Sequence, residues 1–349
     1  MRAGMVGLAA LYWPQTLGRG LAAHPAVDFT AAATLGVADE SIRAMLGSTP
    51  QEYADHFGLK LYTEAEEMIA TEALDAAVII SRHSEHADWV ERLAPLGVNI
   101  FIPKTFATTL ADAERIVRAQ VQHGIRIAVG PTARYLPSFM AVKEALAAGA
   151  IGQPFSLRLC HHHGTLDVFN PTDWYRDRAE GGPELSLGWY GIDLILHLLD
   201  DDVTQIYADY GNFTTPDSPF MDCGRMVLKM RRGGNAVFDM LFCNRFAYPS
   251  WQLEVVGTQG IVAIQRAAPD SNALVVTLHN AQGTQTLPQP EQTPGWEHFW
   301  IDEFVTGREP SLTASDALEI TRLALAARQA AQSGQAVLMG DEVVASERQ

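Results

Sequence analysis

The first third of the chain alternates short, uninterrupted apolar segments with segments of helical character. The apolar segments cover residues 4–6, 29–33, 76–80, 98–102 and 125–129. This pattern is typical of strands that are buried on both faces of a parallel sheet. Between them, Thr49 followed by Pro50 predicts a helix start, and Thr63 with Glu66 predicts a capping box. The alternation predicts an α/β domain over residues 1–132, with a doubly wound parallel sheet of the Rossmann type.

The pattern becomes rich in β character after residue 132. A helical segment at residues 138–148 is followed by β-like segments at residues 155–160, 203–210, 226–230, 236–242, 253–256 and 274–278. Gly233-Gly234, between two of these segments, predicts a hairpin. Further helical segments cover residues 185–199, 296–305 and 314–332. Residues 133–349 are therefore predicted to form an α+β domain with a mostly antiparallel sheet.

The length and charge of the chain restrict its function classes. A chain of 349 residues exceeds what one hydrophobic core usually organises, in agreement with two domains. Its 25 basic and 41 acidic residues give a net charge of −16, which repels phosphate backbones, so no nucleic-acid partner is expected. No apolar segment reaches the ~18 residues that a membrane-spanning helix needs, so no membrane partner is expected.

The three cysteines, Cys160, Cys223 and Cys243, are odd in number and widely spaced. This arrangement favours free thiols in a reducing compartment over a disulfide framework, and we therefore expect a cytoplasmic protein. Arg2 and the apolar residues up to position 13 also fit the short core of a signal peptide. Their interpretation as the first Rossmann strand is preferred because the domain pattern requires that strand.

A dinucleotide site needs a tight glycine turn after the first strand and then a helix N-terminus that faces the diphosphate. Gly7 fits the first glycine, Ala9 is a small substitute for the second, and Tyr12 stands at the position of the third. Pro14 is tolerated only in the first turn of a helix, so the helix is predicted to start there after a longer loop. This turn, which includes Ala10, predicts a degenerate site for NAD or NADP.

The end of the second predicted strand also departs from the usual pattern. An acidic residue there would bind the adenosine ribose, but Thr34 takes its place, and no arginine follows immediately for a 2′-phosphate. The sequence therefore does not distinguish NAD from NADP. Two interpretations stay open: a working dinucleotide site, or a Rossmann-like domain that has lost its nucleotide.

Four polar residues of the predicted helix at 185–199 share one face. Ser186, Tyr190, Asp193 and His197 stand at i, i+4, i+7 and i+11, and the rest of the helix is almost wholly apolar. Such a helix must be buried, and buried polar groups need partners or a wet cavity. The polar face predicts a substrate cavity, with an internal network between Asp193 and His197 as the alternative.

Two further segments carry candidate chemistry. Lys104 directly follows a predicted parallel strand, where ligands of such sheets bind, although a lysine at this place can also be a solvated surface residue. Cys160-His161-His162-His163 contains zinc-binding residue types, with His161 and His163 on one side of a strand. No second ligand pair follows at finger-like spacing, so no metal is predicted, and His163 is assigned to the border of the substrate cleft.

Together these segments resemble the Gfo/Idh/MocA family (glucose–fructose oxidoreductase and inositol dehydrogenase) over nearly the whole chain. The segment Ser81-Arg82-His83-Ser84-Glu85-His86 occupies the place of the family's Thr-Pro-Asn-x-x-His, and Pro103-Lys104-Thr105 that of its Glu-Lys-Pro. Ser186-x-Gly188-x-Tyr190-x-x-Asp193 is similar to its Asp-x-Gly-x-His-x-x-Asp, with tyrosine in place of the usual histidine. Arg134-Tyr135-Leu136-Pro137 matches its Arg-aromatic-x-Pro.

The resemblance implies an NAD(P)-dependent oxidoreductase that transfers a hydride to or from a secondary alcohol carbon of a sugar, polyol or related carbohydrate. It places the cofactor against these residues: Gly7, Ala9, Ala10, Thr34, Ser81, His83, His86 and Lys104. It places the substrate against a second set: Arg134, His163, Trp174, Arg176, Ser186 and His197. It also implies a homo-oligomer formed through the C-terminal sheet.

Lys104, Tyr190 and Asp193 are the predicted catalytic residues. Tyr190 would be the general acid/base on the substrate hydroxyl, and because a phenol has a pKa of ~10, it needs a neighbouring cation, for which Lys104 is the candidate. Asp193 would orient Tyr190 or the substrate. Two alternatives belong to other classes: a redox-neutral lyase or glycosidase that uses the nicotinamide transiently, and a non-catalytic carbohydrate-binding protein with a degenerate cofactor site.

Overall fold

In a computed structural model of the chain, the described residues are 1–10, 13–130, 133–164, 176–244, 251–268, 271, 273–291, 295 and 297–340. The chain divides into two compact units. The first unit contains Met1–Leu136, Asp167–Tyr190 and Glu291–Arg322, and the second contains Pro137–Leu166, Gly191–Pro290 and Leu323–Gln349. The predicted boundary between residues 132 and 133 separates two domains that would fold independently. The two compact units do not test independent folding, so this boundary stays a prediction.

The first unit contains a parallel sheet of six described strands. They are β1 (Arg2–Val6), β2 (Asp28–Ala33), β3 (Lys60–Tyr62), β4 (Ala76–Ile79), β5 (Asn99–Pro103) and β6 (Ile127–Gly130), in the spatial order β3-β2-β1-β4-β5-β6. This is the order of a doubly wound Rossmann sheet, so the predicted fold class is confirmed. The strand interpretation of the N-terminal residues is confirmed as well. The sequence patterns missed β3, because it has three residues and none of them is fully buried.

The described α-helices are α1 (Trp13–Ala23), α2 (Asp39–Leu46), α3 (Pro50–Phe57), α4 (Ala65–Glu72), α5 (His86–Leu93), α6 (Leu110–His123), α7 (Pro137–Ala147), α8 (Gly182–Leu199), α9 (Glu297–Thr306) and α10 (Ala314–Ser333). Short 3-10 helices cover His83–Glu85, Ala94–Leu96, Ala133–Tyr135 and Arg178–Glu180. Thr49 caps α3 as predicted, in a capping box with Glu52. None of these helices combines the length and the apolar character that a membrane crossing requires.

The capping box predicted at Thr63 and Glu66 is wrong. The helix begins at Ala65, and Glu64 holds the N-cap position without a side-chain cap bond. The carbonyl of Thr63 accepts a hydrogen bond from the Leu35 N–H at 3.0 Å. Thr63 is therefore tied to the loop after β2, and it lies one residue too early to cap α4.

The second unit contains a sheet of nine described strands. They are β7 (Pro154–Gly164), β8 (Val203–Gly211), β9 (Cys223–Met230), β10 (Asn235–Asn244), β11 (Trp251–Gly257), β12 (Gly260–Arg266), β13 (Leu274–Asn280), β14 (Gly283–Leu287) and β15 (Val337–Leu338). Their spatial order is β14-β13-β12-β11-β7-β10-β9-β8-β15, and neighbours are antiparallel except for β7 with β10. The predicted sheet type and the hairpin at Gly233-Gly234 are confirmed. The sequence patterns missed β12, β14 and β15.

Candidate active site

The turn after β1 brings the backbone close to the end of β4. Gly7 has a φ of 96°, and a Cβ atom at this position would lie 2.1 Å from the carbonyl oxygen of Ile80. The Gly7 N–H donates to the carbonyl of Ala33 at 3.0 Å. Glycine is required here, because the backbone is left-handed and no side chain fits against β4. The sequence-based choice of Gly7 as the tight-turn residue thus has a physical basis.

A cavity of about 690 Å³ opens at the carboxyl ends of β1, β2 and β4, with α2 and α5 forming other parts of its wall. The order of the strands reverses at β1 and β4. Open α/β sheets bind their ligands at such a switch point, outside the carboxyl ends of the strands. The cavity also has the size of ordinary cofactor sites, so its position and its volume suit a dinucleotide.

Several predicted cofactor residues line this cavity: Gly7, Ala9, Thr34 and Ser81. Ala10 is buried in the turn, and Tyr12, at the position of the third glycine, lies outside the described residues. The helix after the turn begins at Trp13, one residue before the predicted start, and Pro14 lies in its first turn as expected. The first turn of α1 carries no acidic residue, so its N-terminus is electrostatically suited to a diphosphate.

The β2 side of the cavity is uncharged. The Thr34 N–H donates to the carbonyl of Tyr62 at 2.9 Å, and the Thr34 hydroxyl lies 3.5 Å from the same oxygen. The next lining residues, Leu35 and Val37, are apolar. These described residues supply neither a carboxylate for a ribose diol nor a cation for a 2′-phosphate.

Helix α5 supplies part of the cavity wall that the sequence patterns did not reveal. The guanidinium of Arg92 lies 4.1 Å over the ring of Trp89, and its Nε donates to Glu66 at 2.7 Å. Trp89 and Arg92 both line the cavity. Their i, i+3 spacing on the helix that follows β4 is the sequence signal that points to this pair. A stacked guanidinium offers a flat cationic face that suits an adenine ring.

Two histidines of the predicted cofactor set are buried beside the loop after β4. The N–H of His83 donates to Glu180 at 2.8 Å, and Nδ1 of His86 lies 3.0 Å from the carbonyl of Phe106. Burial lowers the pKa of His83 to about 3, with further lowering by the neighbouring His86 and Lys104. Burial also lowers the pKa of His86 to about 4. Both rings are therefore neutral at neutral pH, and a direct cofactor contact of either stays a prediction.

Lys104 directly follows β5, and its N–H donates to the carbonyl of Gly130 at 3.1 Å. The side chain is half-buried. Desolvation of the ammonium lowers the pKa of Lys104 to about 8. The charge of Lys104 also contributes to the lowered pKa of His83. A lysine in this environment changes its charge near physiological pH, unlike a solvated surface lysine.

Helix α8 brings Tyr190 to this lysine. Trp189, which is fully buried, fixes the helix by donating from Nε1 to Thr321 at 3.1 Å. The adjacent Tyr190 is 6% exposed. The Lys104 ammonium lies 5.3 Å from the centroid of the Tyr190 ring, within the range of a cation–π contact. The structure thus brings the two main catalytic candidates together.

The other polar residues of the predicted face, Ser186, Asp193 and His197, lie on the same helix α8 as Tyr190. Ser186 and Asp193 are buried, and His197 is half-buried. The carbonyl of His197 accepts a hydrogen bond from Lys143 Nζ at 2.6 Å. Asp193 and His197 belong to the second unit, whereas Ser186 belongs to the first. A substrate contact of these residues, and the alternative of an internal network, both stay predictions.

The remaining predicted substrate residues are dispersed along the chain. Arg134 is buried, and its Nη1 donates to the carbonyl of Ser311 at 3.0 Å, so part of its guanidinium holds the segment before α10. Arg176 is half-buried just before the 3-10 helix Arg178–Glu180. Trp174 lies outside the described residues. Roles of all three in substrate binding stay predictions.

The histidine strand β7 alternates as predicted. The ring of His161 stacks on Trp251 with a centroid distance of 3.7 Å and lies 5.3 Å from the ring of His163. Cys160 and His162 approach each other on the opposite face, with 3.7 Å between the sulfur and the ring nitrogens. Within the described residues, no cluster of three or more His, Cys, Asp or Glu side chains could hold a metal ion.

Sequence profiles decide the family. Residues 1–131 match the family described as "Oxidoreductase family, NAD-binding Rossmann fold", and residues 139–263 match the "GFO/IDH/MocA C-terminal domain". The chain belongs to the Gfo/Idh/MocA family. The resemblance seen in the sequence motifs is therefore confirmed, and this Gfo/Idh/MocA chain is a member of an oxidoreductase family.

Curated relatives of this Gfo/Idh/MocA chain include named sugar and polyol enzymes. D-apiose dehydrogenase from Paraburkholderia graminis is 29% identical over 300 residues, which cover 80% of this chain and 77% of that protein. 1,5-anhydro-D-fructose reductase from Ensifer adhaerens is 26% identical over 292 residues, with coverages of 81% and 86%. An inositol 2-dehydrogenase/D-chiro-inositol 3-dehydrogenase from Shouchella clausii is 26% identical, with coverages of 65% and 62%.

Solved structures share the fold of this Gfo/Idh/MocA chain. An oxidoreductase from Agrobacterium radiobacter in complex with NAD+, L-tartaric acid and magnesium superposes with a TM-score of 0.81, at 21% identity and coverages of 97% and 98%. An aldose-aldose oxidoreductase from Caulobacter crescentus complexed with glycerol has a TM-score of 0.81, at 20% identity and coverages of 97% and 99%. These likenesses establish the fold.

Proposed function

We propose that this chain is an NAD(P)-dependent oxidoreductase that transfers a hydride to or from a secondary alcohol carbon of a sugar, polyol or related carbohydrate. Membership of the family supports the reaction class. The names of the apiose, anhydrofructose and inositol enzymes support a carbohydrate-like substrate. The approach of the Lys104 ammonium to Tyr190 is the structural observation that carries the proposal.

Tyr190 is the proposed general acid/base. In the oxidising direction its phenolate accepts the proton of the substrate hydroxyl, and in the reducing direction the phenol returns it. The ammonium of Lys104 stabilises the phenolate, because a nearby opposite charge favours the ionised form. The nicotinamide, when bound, supplies the hydride acceptor or donor. A positioned acid/base of this kind contributes ~10²–10⁴ in rate.

The proposed cofactor contacts lie on the turn after β1 and the loop after β4. Gly7 and Ala9 leave the backbone accessible to a diphosphate beside the N-terminus of α1. Ser81 lines the same cavity on the β4 side. Thr34 neither attracts a ribose diol nor repels a 2′-phosphate, so we propose that both NAD and NADP bind. Lys104 also contacts the nicotinamide ribose in this proposal.

The proposed substrate contacts use hydrogen-bonding side chains near Tyr190 in the sequence and on β7. A neutral polyhydroxyl substrate needs a few convergent polar groups in an otherwise apolar site. Asp193, one helical turn after Tyr190, accepts from substrate hydroxyls or orients the phenol. The full set of proposed contacts also includes Arg134, His163, Trp174, Arg176, Ser186 and His197.

The deciding experiment combines calorimetric titration with a substrate screen. Purified protein is titrated with NAD+ and NADP+, and D-apiose, 1,5-anhydro-D-fructose and inositols are then tested for a change in the absorbance of the reduced nicotinamide. Binding of at least one dinucleotide and turnover of a carbohydrate support the proposal. Failure to bind either dinucleotide at millimolar concentration would favour a non-catalytic protein, and product without net reduced nicotinamide would favour a redox-neutral lyase or glycosidase.

We also propose that the sheet of the second unit mediates a homo-oligomer and that the protein is cytoplasmic. One face of β9 and β10 carries Val227, Val237 and Leu241, which stay half-buried, whereas Met226 and Phe238 point into the core. The three cysteines are free thiols, in agreement with a reducing compartment. Light scattering of wild type and Val237→Lys tests the first proposal, and fractionation of the native host tests the second.

A further inference from the structure

A buried carboxylate from a distant part of the chain holds the 3-10 helix His83–Glu85, which leads into α5. The side chain of Glu180 is 0% exposed. Its Oε2 accepts from the His83 N–H at 2.8 Å and from the Ser84 N–H at 3.5 Å. Its Oε1 accepts from the Ser84 hydroxyl at 2.7 Å and lies 3.7 Å from Arg82 Nη1. Both oxygens therefore face the loop between β4 and α5.

These bonds satisfy backbone groups that the local sequence leaves without an acceptor. The first N–H groups of a helix have no partner inside the helix. Arg82 occupies the N-cap position of the 3-10 helix His83–Glu85, which leads into α5, and it makes no side-chain cap bond. An arginine side chain has no acceptor atom. Glu180 supplies the missing acceptor, and its negative charge suits a helix N-terminus.

Burying the charged carboxylate of Glu180 costs free energy of desolvation. Burial raises the pKa of Glu180, and the hydrogen bonds from Ser84 together with the charge of Arg82 oppose that rise. Replacing a buried ionic group by apolar side chains is often neutral or stabilising. Geometric specificity is therefore a better explanation of this carboxylate than stability.

On one side, the segment that Glu180 holds forms part of the dinucleotide cavity. Ser81, Arg82 and Glu85 line that cavity. A shift of this loop moves three lining residues at once. The position of Glu180 therefore bears directly on the shape of the cavity on its β4 side.

On the other side, Glu180 stands at the entry to the helix that carries Tyr190. Gly181 and Gly182 follow it with left-handed φ values of 81° and 66°, and α8 begins at Gly182. A Cβ atom at Gly181 would lie 2.5 Å from the side chain of Leu185. The backbone conformation between Glu180 and α8 is thus tightly restricted. A displacement of Glu180 would therefore also displace the first turn of α8.

We propose that Glu180 is a positioning residue that holds the cofactor-lining loop 81–85 and the entry of the Tyr190 helix in one fixed arrangement. The inference rests on the proposed dinucleotide-dependent function. Because one carboxylate joins both segments, cofactor binding at the loop orders the segment around Glu180, and loss of the carboxylate weakens cofactor binding in return.

Three variants test this role. Glu180→Ala removes both carboxylate oxygens and leaves buried N–H groups without an acceptor, and we expect the Kd for NAD+ or NADP+ to rise about tenfold. Glu180→Gln keeps one oxygen for the backbone donors, and its amide can face the Ser84 hydroxyl, which turns to accept. We expect this variant to stay within about threefold of wild type. Ser84→Ala removes only one bond, so it gives an intermediate loss even where Glu180→Ala folds poorly.

Asp222 of the second unit is the matched control. Its buried carboxylate accepts from the N–H groups of Phe213, Thr214 and Thr215 at 2.8, 2.7 and 2.6 Å. Asp222→Ala therefore loses a comparable set of bonds in a part of the chain that the proposal does not involve. We expect a lower melting temperature with an unchanged dinucleotide Kd.

Hydrogen exchange distinguishes positioning from mere stabilisation. In wild type and in Asp222→Ala, we expect NAD+ or NADP+ to slow amide exchange in peptides that cover residues 178–186, and we expect this slowing to be lost in Glu180→Ala. A folded Glu180→Ala or Ser84→Ala protein with wild-type Kd and the same slowing overturns the inference but leaves the proposed function intact. A wild-type protein that binds neither dinucleotide overturns both.

Discussion

The ammonium of Lys104 lies 5.3 Å from the centre of the Tyr190 ring, although the first residue directly follows strand β5 and the second lies in the middle of helix α8. A cation at this distance stabilises negative charge on the phenol oxygen more than it stabilises the neutral phenol. The two side chains therefore fit a single acid/base unit.

Tyr190→Phe should abolish most turnover with little loss of stability, because it removes one hydroxyl and keeps the ring beside Lys104. The expected fall in kcat is ~10²–10⁴. Lys104→Ala should also lower kcat, and the double variant should be scarcely slower than Tyr190→Phe, because residues that act as a unit have non-additive effects. Steady-state kinetics on a responsive carbohydrate provide the measurement. Multiplicative losses, or a nearly normal Tyr190→Phe enzyme, would show that Tyr190 is the wrong acid/base.

The charge of Lys104 should be lost as the pH rises through about 8, the value to which burial lowers its pKa. Below that pH the ammonium is present, and above it the amine is free and nucleophilic. Competitive acetylation followed by peptide mass spectrometry should give a midpoint near 8 for Lys104. Turnover in the reducing direction should fall over the same pH range. The exposed Lys229 serves as the comparison, and identical acetylation profiles for the two lysines would contradict the assignment.

Gly7→Ala should destabilise the first unit and prevent dinucleotide binding. The substitution adds left-handed backbone strain of about 1–3 kcal/mol and a contact of 2.1 Å with Ile80. Gly36→Ala is the control, since Gly36 has a φ of 70° but no atom within 4 Å of its added Cβ. Chemical denaturation and calorimetry should show a larger loss for Gly7→Ala. Equal losses would mean that the close approach to β4 is unimportant.

Acid should destabilise the protein through His86. Burial lowers the pKa of His86 to about 4 in the folded state, so between the ordinary histidine value of 6.5 and about 4 only the unfolded state binds the proton. The neutral His86 ring therefore makes its full contribution to the free energy of unfolding above pH 6.5. This contribution falls by about 3 kcal/mol between pH 7 and pH 4. His86→Asn, which keeps a donor toward Phe106, should reduce this dependence in urea titrations, and the remainder includes the contribution of the buried His83. Substitution of the exposed His56 should leave it unchanged.

Removal of metal should leave the protein unaltered. Cys160 and His162 share one face of β7, and His161 with His163 the other, so the four side chains do not converge on one point. We expect dialysis against a chelator to change neither the melting temperature nor ligand binding, because loss of a structural metal would destabilise folding strongly. A stoichiometric metal in tag-free protein would contradict this expectation.

Much of the fold was predictable because buried elements leave regular patterns in the sequence. Uninterrupted apolar segments marked β1, β2, β4, β5 and β6, and the helical spacing of Ser186, Tyr190 and Asp193 placed them on one face of α8. Elements without such patterns were not predicted. Strand β3 is too short to show a pattern because it has three residues, and β14 lacks an apolar segment because most of it is exposed. The capping box at Thr63 failed because a hydrogen bond from Leu35 fixes that residue in a loop.

The sequence by itself determined the fold class, the close turn at Gly7 and the candidacy of Lys104 and Tyr190, because periodicity and glycine conformation are local properties of the chain. Only the tertiary structure decided that Lys104 and Tyr190 meet, that α5 forms part of the cavity wall, and that Glu180 binds the 3-10 helix before α5. Each of these depends on which segments pack together. Hydrogen bonds and electrostatic contacts act over a few ångströms, so partners distant along the chain are settled by packing.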